Sequence, residues 1–198
     1  MTAVDEPRMT PTAARILGTA SELFYQHGLT AVGVERIAEE ASTTKKTLYD
    51  RFGSKDGLIT AYLRGRRDRW HDYALDVIDS AQPGPGKGRV LAMIDALERW
   101  MADNSRGCGF VNAYAELAGT DHRGLEVIEE EKVWTRQHYI ASLADMGVPE
   151  AERRGRELAL VHEGAIVQMT AGSQPYALSD ARALMGRLVD EGVAARDA

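Results

Sequence analysis

The chain contains a single cysteine, Cys108, among its 198 residues. With no second thiol it cannot close an internal disulfide, which suits a reducing cytoplasm better than a secreted scaffold. No apolar run approaches the roughly 18 residues that a membrane-spanning helix needs. The opening residues, Met-Thr-Ala-Val-Asp-Glu-Pro, are polar and acidic, unlike a signal peptide, and residues 1–9 are expected to form a loose arm. Alternating apolar-polar runs of strand type are missing, and so is any internal repeat. The catalytic signatures GxSxG and HExxH do not occur, nor does a phosphate-binding glycine loop. No His/Cys pair has the short spacing of a zinc site, so neither a metal nor a cofactor is expected, and nothing points to an enzyme.

Charge is unevenly placed. The formal net charge is -6, which argues against a general polyanion binder. Residues 1–67 carry ten Lys/Arg against eight Asp/Glu, whereas residues 68–198 carry fourteen against twenty-two. The acidic excess therefore belongs to the later two thirds. The first third is weakly basic, with cations clustered between Lys45 and Lys55.

What the chain does have is helical periodicity, and it reads as all-α with about nine helices. Over Ala13–His27, Ile16, Leu17, Ala20, Leu23 and Phe24 share one face, and Gly28 suits a left-handed stop. A short second helix is expected over 34–41, with Val34, Ile37, Ala38 and Ala41 inward. Ser42-Thr43-Thr44 then forms a turn, Thr44 capping a third helix that Leu48 and Phe52 pin to the other two. Ser54 caps a fourth helix that runs from near Lys55 to about Ser80. Gln82-Pro83-Gly84-Pro85-Gly86-Lys87-Gly88 is the strongest breaker. Further helices are expected over 89–103, 110–117, 125–146, 150–171 and 179–194.

The third helix carries the chemistry. A groove-reading helix needs a buried face and exposed donors for base edges and phosphates. Lys45 and Lys46, near its start, can reach guanine O6 and N7. Thr47 and Tyr49 can donate to phosphate oxygens, and Arg51 can reach the backbone. Lys55 opens the next helix, where the helix N-terminus already favours an anion. For a Lys-Lys pair alone, a solvated basic face would be the better reading. The helix-turn-helix spacing with its flanking helices reverses that preference.

Residues 12–58 resemble the N-terminal domain of TetR-type (tetracycline-repressor-like) regulators. The matching residues are Arg15-Ile16-Leu17, Ala20, Glu22-Leu23-Phe24, Gly28, Ile37-Ala38, Ala41 and the run Thr44-Lys45-Lys46-Thr47-Leu48-Tyr49-Asp50-Arg51-Phe52-Gly53-Ser54-Lys55. The resemblance implies a homodimer that binds a palindromic operator on double-stranded DNA and is released by a small organic effector. It places Lys45 and Lys46 at base contacts, and Thr47, Tyr49 and Lys55 at phosphate contacts. With Thr44 and Arg51 these make up the expected DNA-binding set. Two positions depart from the family pattern. Ser42 stands where glycine is usual in the turn, at a cost of about 1 kcal/mol if that position is left-handed. Gly33 stands where a Ser or Thr often caps the second helix. The run Arg106-Gly107-Cys108-Gly109-Phe110-Val111-Asn112 also resembles a segment found in some branches of the family.

The implied organisation is an arm over 1–9, a helix-turn-helix domain over 10–55, and a ligand-binding and dimerisation domain over 56–198. For pairing, Leu158, Val161, Ala165 and Met169 form one stripe, and Leu184 and Leu188 belong to another; the same stripes would also serve an intramolecular core. For a small organic molecule, apolar walls with a few polar groups are needed. Trp100, Phe110, Asn112, Glu116, Trp134, His138 and His162 supply them, Asn112 and Glu116 falling i, i+4 on one face. A lone histidine in an apolar stretch, such as His162, is nonetheless more often a satisfied core residue than a ligand contact. Cys108 has no resolving thiol for a redox switch.

Overall fold

A computed structural model describes residues 9–81, 84–104 and 106–197. Of the arm expected over 1–9, all but Met9 lies outside the described residues. Nine helices and no strand occur among the described residues: α1 (Pro11–His27), α2 (Val34–Glu40), α3 (Lys45–Phe52), α4 (Lys55–Ala81), α5 (Lys87–Ala102), α6 (Gly109–Leu117), α7 (Gly124–Asp145), α8 (Ala151–Thr170) and α9 (Ala177–Asp197). None is long and apolar enough to cross a membrane.

The chain forms two compact units. The first comprises Met1–Gly65 and Phe110–Val127, the second Arg66–Gly109 and Ile128–Ala198. The division differs from the expected boundary at 55/56. The start of α4 buries Leu58, Ile59, Tyr62 and Leu63 with the N-terminal helices. The segment from Phe110 to Val127 joins that unit through contacts distant in sequence, which local periodicity does not encode.

In the first unit, local rules set the helix ends. Thr10 caps α1 by accepting from the Ala13 amide at 3.3 Å, with Pro11 just inside the helix. Gly28 ends it at φ +90°, its amide bonded to the Phe24 carbonyl. The α2 terminus is a Schellman arrangement. The Thr43 amide donates to the Ala38 carbonyl and the Ser42 amide to that of Glu39, with Ser42 left-handed at φ +48°. Ile16, Ile37, Leu48, Leu58 and Leu63 are fully enclosed. Each such side chain contributes about 1.5–3 kcal/mol by burial. Arg15 Nε donates to the Ala41 carbonyl at 2.8 Å, tying α1 to the end of α2.

In the second unit, α5 is buried on nearly every side, through Val90, Leu91, Ala92, Met93, Ile94, Ala96 and Leu97. Around it pack Trp70, Ala74 and Ile78 of α4, Tyr139 and Leu143 of α7, Leu158 and Ile166 of α8, and Met185 and Val189 of α9. α7 and α8 approach closely at Gly155, where a Cβ would sit 2.8 Å from the Ile140 backbone nitrogen.

Candidate functional site

Thr44 caps α3 as its sequence predicts, accepting from the Thr47 amide at 3.1 Å, and the two threonine hydroxyls lie 2.9 Å apart. Ser54 Oγ accepts from the Gly57 amide at 2.9 Å at the head of α4. Leu48 is fully buried and Phe52 half-buried, so α3 is fixed by one face only. Its other face shows Thr44, Lys45, Lys46, Tyr49, Asp50 and Arg51 to solvent, with Thr47 and Lys55 half-buried. Every residue expected at the DNA-binding surface is therefore on the first unit, and all but Lys55 lie on α3 or its cap.

Lys45 and Lys46 each hold a carboxylate. Lys45 Nζ donates to Glu35 Oε1 and Lys46 Nζ to Asp50 Oδ2, each at 2.8 Å. The hydrogen bond to Glu35 and then its charge hold the Lys45 ammonium's pKa above its usual range, as Asp50 does for Lys46. Both pairs are open to water, where ion pairs are weak and screened by salt, so DNA can displace them. Lys55 Nζ donates to the Thr30 carbonyl at 3.4 Å. Gly33 caps α2 without a side-chain bond, as its identity dictates, and Glu35 sits in the first turn.

Glu116, expected at the effector site, is engaged elsewhere. Its carboxylate accepts from the amides of Leu29 at 2.9 Å and Thr30 at 2.7 Å. Partial burial works to raise its pKa, but the amides of Thr30 and Leu29, the Thr30 hydroxyl and the Lys55 charge together lower it. The glycine at 28 leaves room for it, since a Cβ there would meet Glu116 Oε1 at 2.9 Å. Spacing from Asn112 placed Glu116 on a face but could not say what that face meets.

The other expected effector residues are divided between the units. Phe110, buried, and Asn112, half-buried, lie on α6 in the first. Trp100, Trp134, His138 and His162 lie in the second, Trp100 in one aromatic group and the other three in a second group of aromatic and imidazole rings. Trp100 packs edge-on to Trp70 at 5.6 Å and beside Tyr73 at 5.5 Å. Trp134 stacks on His71 at 3.7 Å and 18°, with His138 5.9 Å away. His162 is buried and shares a 3.0 Å hydrogen bond with the Tyr139 hydroxyl. Burial lowers the pKa of His71, His138 and His162 to about 4 each, so all three are neutral near pH 7. His162 is thus a satisfied interior residue. The His71 Nε2 atom is enclosed without a hydrogen-bond partner.

Sequence reading missed a second polar cluster. Lys132 Nζ reaches Glu163 Oε1 at 2.8 Å, Glu131 Oε2 at 3.2 Å and Cys108 Sγ at 3.5 Å. Burial opposes its charge, yet the Cys108 sulfur, Glu131 and Glu163 outweigh that and raise its pKa. Glu131 is enclosed, its pKa raised by burial above all, and it accepts from the Thr135 hydroxyl at 3.0 Å. The signal was present only as charges inside an amphipathic helix, which ordinarily face water. Lys132, Thr135 and Glu163 floor a cleft of about 350 Å3 between α7 and α8, walled by Ala159 and Leu160. None of the seven expected effector residues lines it. Among the described residues no group of three or more His, Cys, Asp or Glu side chains is arranged to hold a metal ion.

The expected pairing stripe also needs correction. Leu158 and Ala165 are buried in the core of their own unit, and Val161, Met169 and Leu188 pack partly against it. The open apolar positions are Leu160 (73% exposed), Val167 and Tyr176, with Leu184 at 37%. The periodicity of α8 holds, with Leu158 and Ala165 inward and Leu160 and Val167 outward. A groove between α8 and α9 is lined by Val161, Gln168, Ala177 and Leu184 among others.

Residues 16–62 match the family described as bacterial regulatory proteins, tetR family. The HTH-type transcriptional regulator Rv1255c of Mycobacterium tuberculosis is 34% identical over 99 residues, 49% of this chain and 48% of that protein. The regulator YvkB of Bacillus subtilis is 38% identical over 28% of this chain and 29% of its own. The chain thus spans about half the length, or less, of the curated relatives it matches. SCO4454, a TetR-family transcriptional regulator from Streptomyces coelicolor, superposes with a TM-score of 0.84 at 27% identity, covering 92% of this chain and 96% of that one. The reduced form of Escherichia coli NemR shares the fold, with a TM-score of 0.72 at 19% identity over 89% of this chain and 96% of that one. The exposed face of a capped α3, the matched N-terminal helices and the likeness along nearly the whole of SCO4454 agree: residues 16–62 carry a TetR-type helix-turn-helix domain, and the described chain has the all-α fold of a TetR-family regulator.

Proposed function

We propose that the protein is a homodimeric repressor that lies on a palindromic operator in the cytoplasm and leaves it when a small organic molecule binds. The observation that carries this reading is the capped α3, anchored by Leu48 and presenting Lys45, Lys46, Thr47 and Tyr49 outward. Lys45 and Lys46 read base edges, while Thr47, Tyr49, Arg51 and Lys55 hold phosphates. Pairing is supported by the open apolar side chains Leu160 and Val167 on α8 and by Leu184 in the α8–α9 groove. Two-fold pairing would place two reading heads about 34 Å apart, or a multiple of it, on a palindrome. For the effector, the aromatic and imidazole cluster around Trp134 offers apolar walls with a few polar groups.

Fluorescence anisotropy tests the reading. The protein is titrated against the DNA flanking its own gene and against a scrambled duplex at physiological salt. Nanomolar, salt-dependent binding to the first, far tighter than to the second, is expected. Equal weak binding to both, followed by failure to enrich any palindrome from random DNA, would overturn it. Added effector lowers operator affinity only through its different affinity for the two conformations.

A further inference from the structure

One acidic residue sits on the reading face for no reason of helix stability. Asp50 lies in the last turn of α3 and Lys46 in its first, each at the helix end that disfavours its charge. The pair also runs Lys-to-Asp along the chain, the weaker order for an i, i+4 contact. Side-chain exposures of 84% and 56% leave it little net worth as an ion pair. The neighbouring Lys45–Glu35 pair is different. Glu35 occupies the first turn of α2, where a carboxylate is favoured, and it bridges two helices. Beside a polyanion an unneeded carboxylate is a liability, so the position of Asp50 calls for a use.

We propose that Asp50 and Lys46 act together as a base-pair reader that selects guanine on the lysine side and cytosine on the aspartate side. This rests on the DNA-reading role given above to α3. In the major groove a G·C pair shows the guanine O6 acceptor next to the cytosine N4 donor, hydrogen-bonded to each other. Lys46 Nζ and Asp50 Oδ2, 2.8 Å apart, form the complementary donor and acceptor at matching spacing. The ammonium donates to O6 and N7, and the carboxylate accepts from N4. Against a C·G pair both contacts invert: donor faces donor and carboxylate faces acceptor. T·A keeps the central acceptor-donor order but lacks N7 beside it on the lysine side, so it is the second choice. Discrimination thus comes as much from the clash with C·G as from the fit to G·C.

The test is selection from a random duplex library with the full-length protein and its Asp50→Asn and Lys46→Gln variants, then affinities for single-pair variants of the selected site. Asp50 is exposed, so matching thermal melts will show that Asp50→Asn folds like the parent. The parent should hold one position per half-site at G·C over C·G by about tenfold or more. In Asp50→Asn that ratio should collapse to about threefold or less, and Lys46→Gln should lose the guanine preference. Asp50→Asn retaining the parent's preference overturns the inference. So does a variant that merely binds scrambled DNA more tightly, since Asp50 would then only repel phosphate. Failure of the parent to enrich any site removes the DNA-reading assignment itself, which separates the two failures.

Discussion

The two units of this protein keep their functional residues in place by different means. In the first, the surface of α3 is held by contacts a few residues apart: the Thr44 cap, the Schellman end of α2, the Ser54 cap and the Leu48 and Phe52 anchors. In the second, the corresponding groups meet across helices: His71 with Trp134, Tyr139 with His162, Lys132 with Glu163. A reading head needs an external geometry that seldom varies, and local rules suffice for it. An interior that accepts a ligand depends on which faces of distant helices meet, and that depends on long-range packing.

The difference is sharpest if the anchor of the first unit is removed. Leu48→Ala deletes a fully buried side chain from a small core and should cost about 2–5 kcal/mol. Denaturation followed by hydrogen exchange should show amides of α1–α3 losing protection while α5 keeps its own. Operator binding should disappear with it. Uniform loss of protection over both units would mean that they unfold as one, and the comparison would fail.

The second unit should respond to acid through a buried histidine, from a higher pH than the carboxylate Glu116 of the first. His162 is buried and its pKa is lowered to about 4 from 6.5. A histidine whose folded pKa is depressed favours the folded state fully above the unfolded value. That contribution is lost progressively as pH falls from about 6.5 towards 4. The loss by pH 4 is about 3 kcal/mol by linkage. Urea unfolding of the parent and of His162→Gln across this range checks it, the variant showing the flatter slope. Equal slopes would mean that His162 is protonated in the folded protein.

The same contrast explains what was legible in the sequence. The nine helices of the described residues follow from apolar periodicity and from stop signals such as Gly28; of the breaker after α4, Gln82 and Pro83 lie outside the described residues. The exposed residues of α3 follow because Leu48 fixes which side of the helix is inward, leaving its neighbours outward. The effector and pairing residues were harder to read. Periodicity gave α8 its faces but left the Leu158 stripe open between pairing and an intramolecular core; the structure buries Leu158 and leaves Leu160 exposed. His71 and Lys132 were missed because nothing near them in sequence reports the partner that each acquires from another helix. Glu116 shows the same limit from the opposite direction, since a polar residue on a plausible face accepts from two distant amides that its spacing does not report, an error of reading if those bonds hold it there.

Glu116 allows that error to be measured. Its carboxylate accepts from the Leu29 and Thr30 amides, and charged hydrogen bonds of this kind contribute about 1–3 kcal/mol. Glu116→Ala should therefore destabilise the first unit by about 1–2 kcal/mol, allowing for partial exposure. Exchange at Leu29 and Thr30 should accelerate most. Glu116→Gln, which keeps an acceptor but loses the charge, should fall between the two. A Glu116→Ala variant with unchanged protection at those amides would return this residue to the pool of effector contacts.

The smallest effect tests the local rules themselves. Ser42 takes φ +48° in the α2–α3 turn, a conformation that costs a residue with a Cβ about 1 kcal/mol. Its side chain is exposed, so little else is at stake in replacing it. Ser42→Gly removes the strain but gains freedom in the unfolded chain, and these oppose each other, leaving a net stabilisation of about 0.5 kcal/mol or less. Ser42→Ala keeps the strain. The informative quantity is therefore the difference between the variants, with glycine the more stable by about 0.5 kcal/mol or less in urea denaturation. If alanine equals glycine, the turn has relaxed to negative φ. The Schellman bonds from Thr43 and Ser42 must then have reformed in another way, and α3 would stand at a different angle to α2. Such a change would alter operator affinity without touching any residue that faces DNA, which makes affinity a second and independent reading of the same turn.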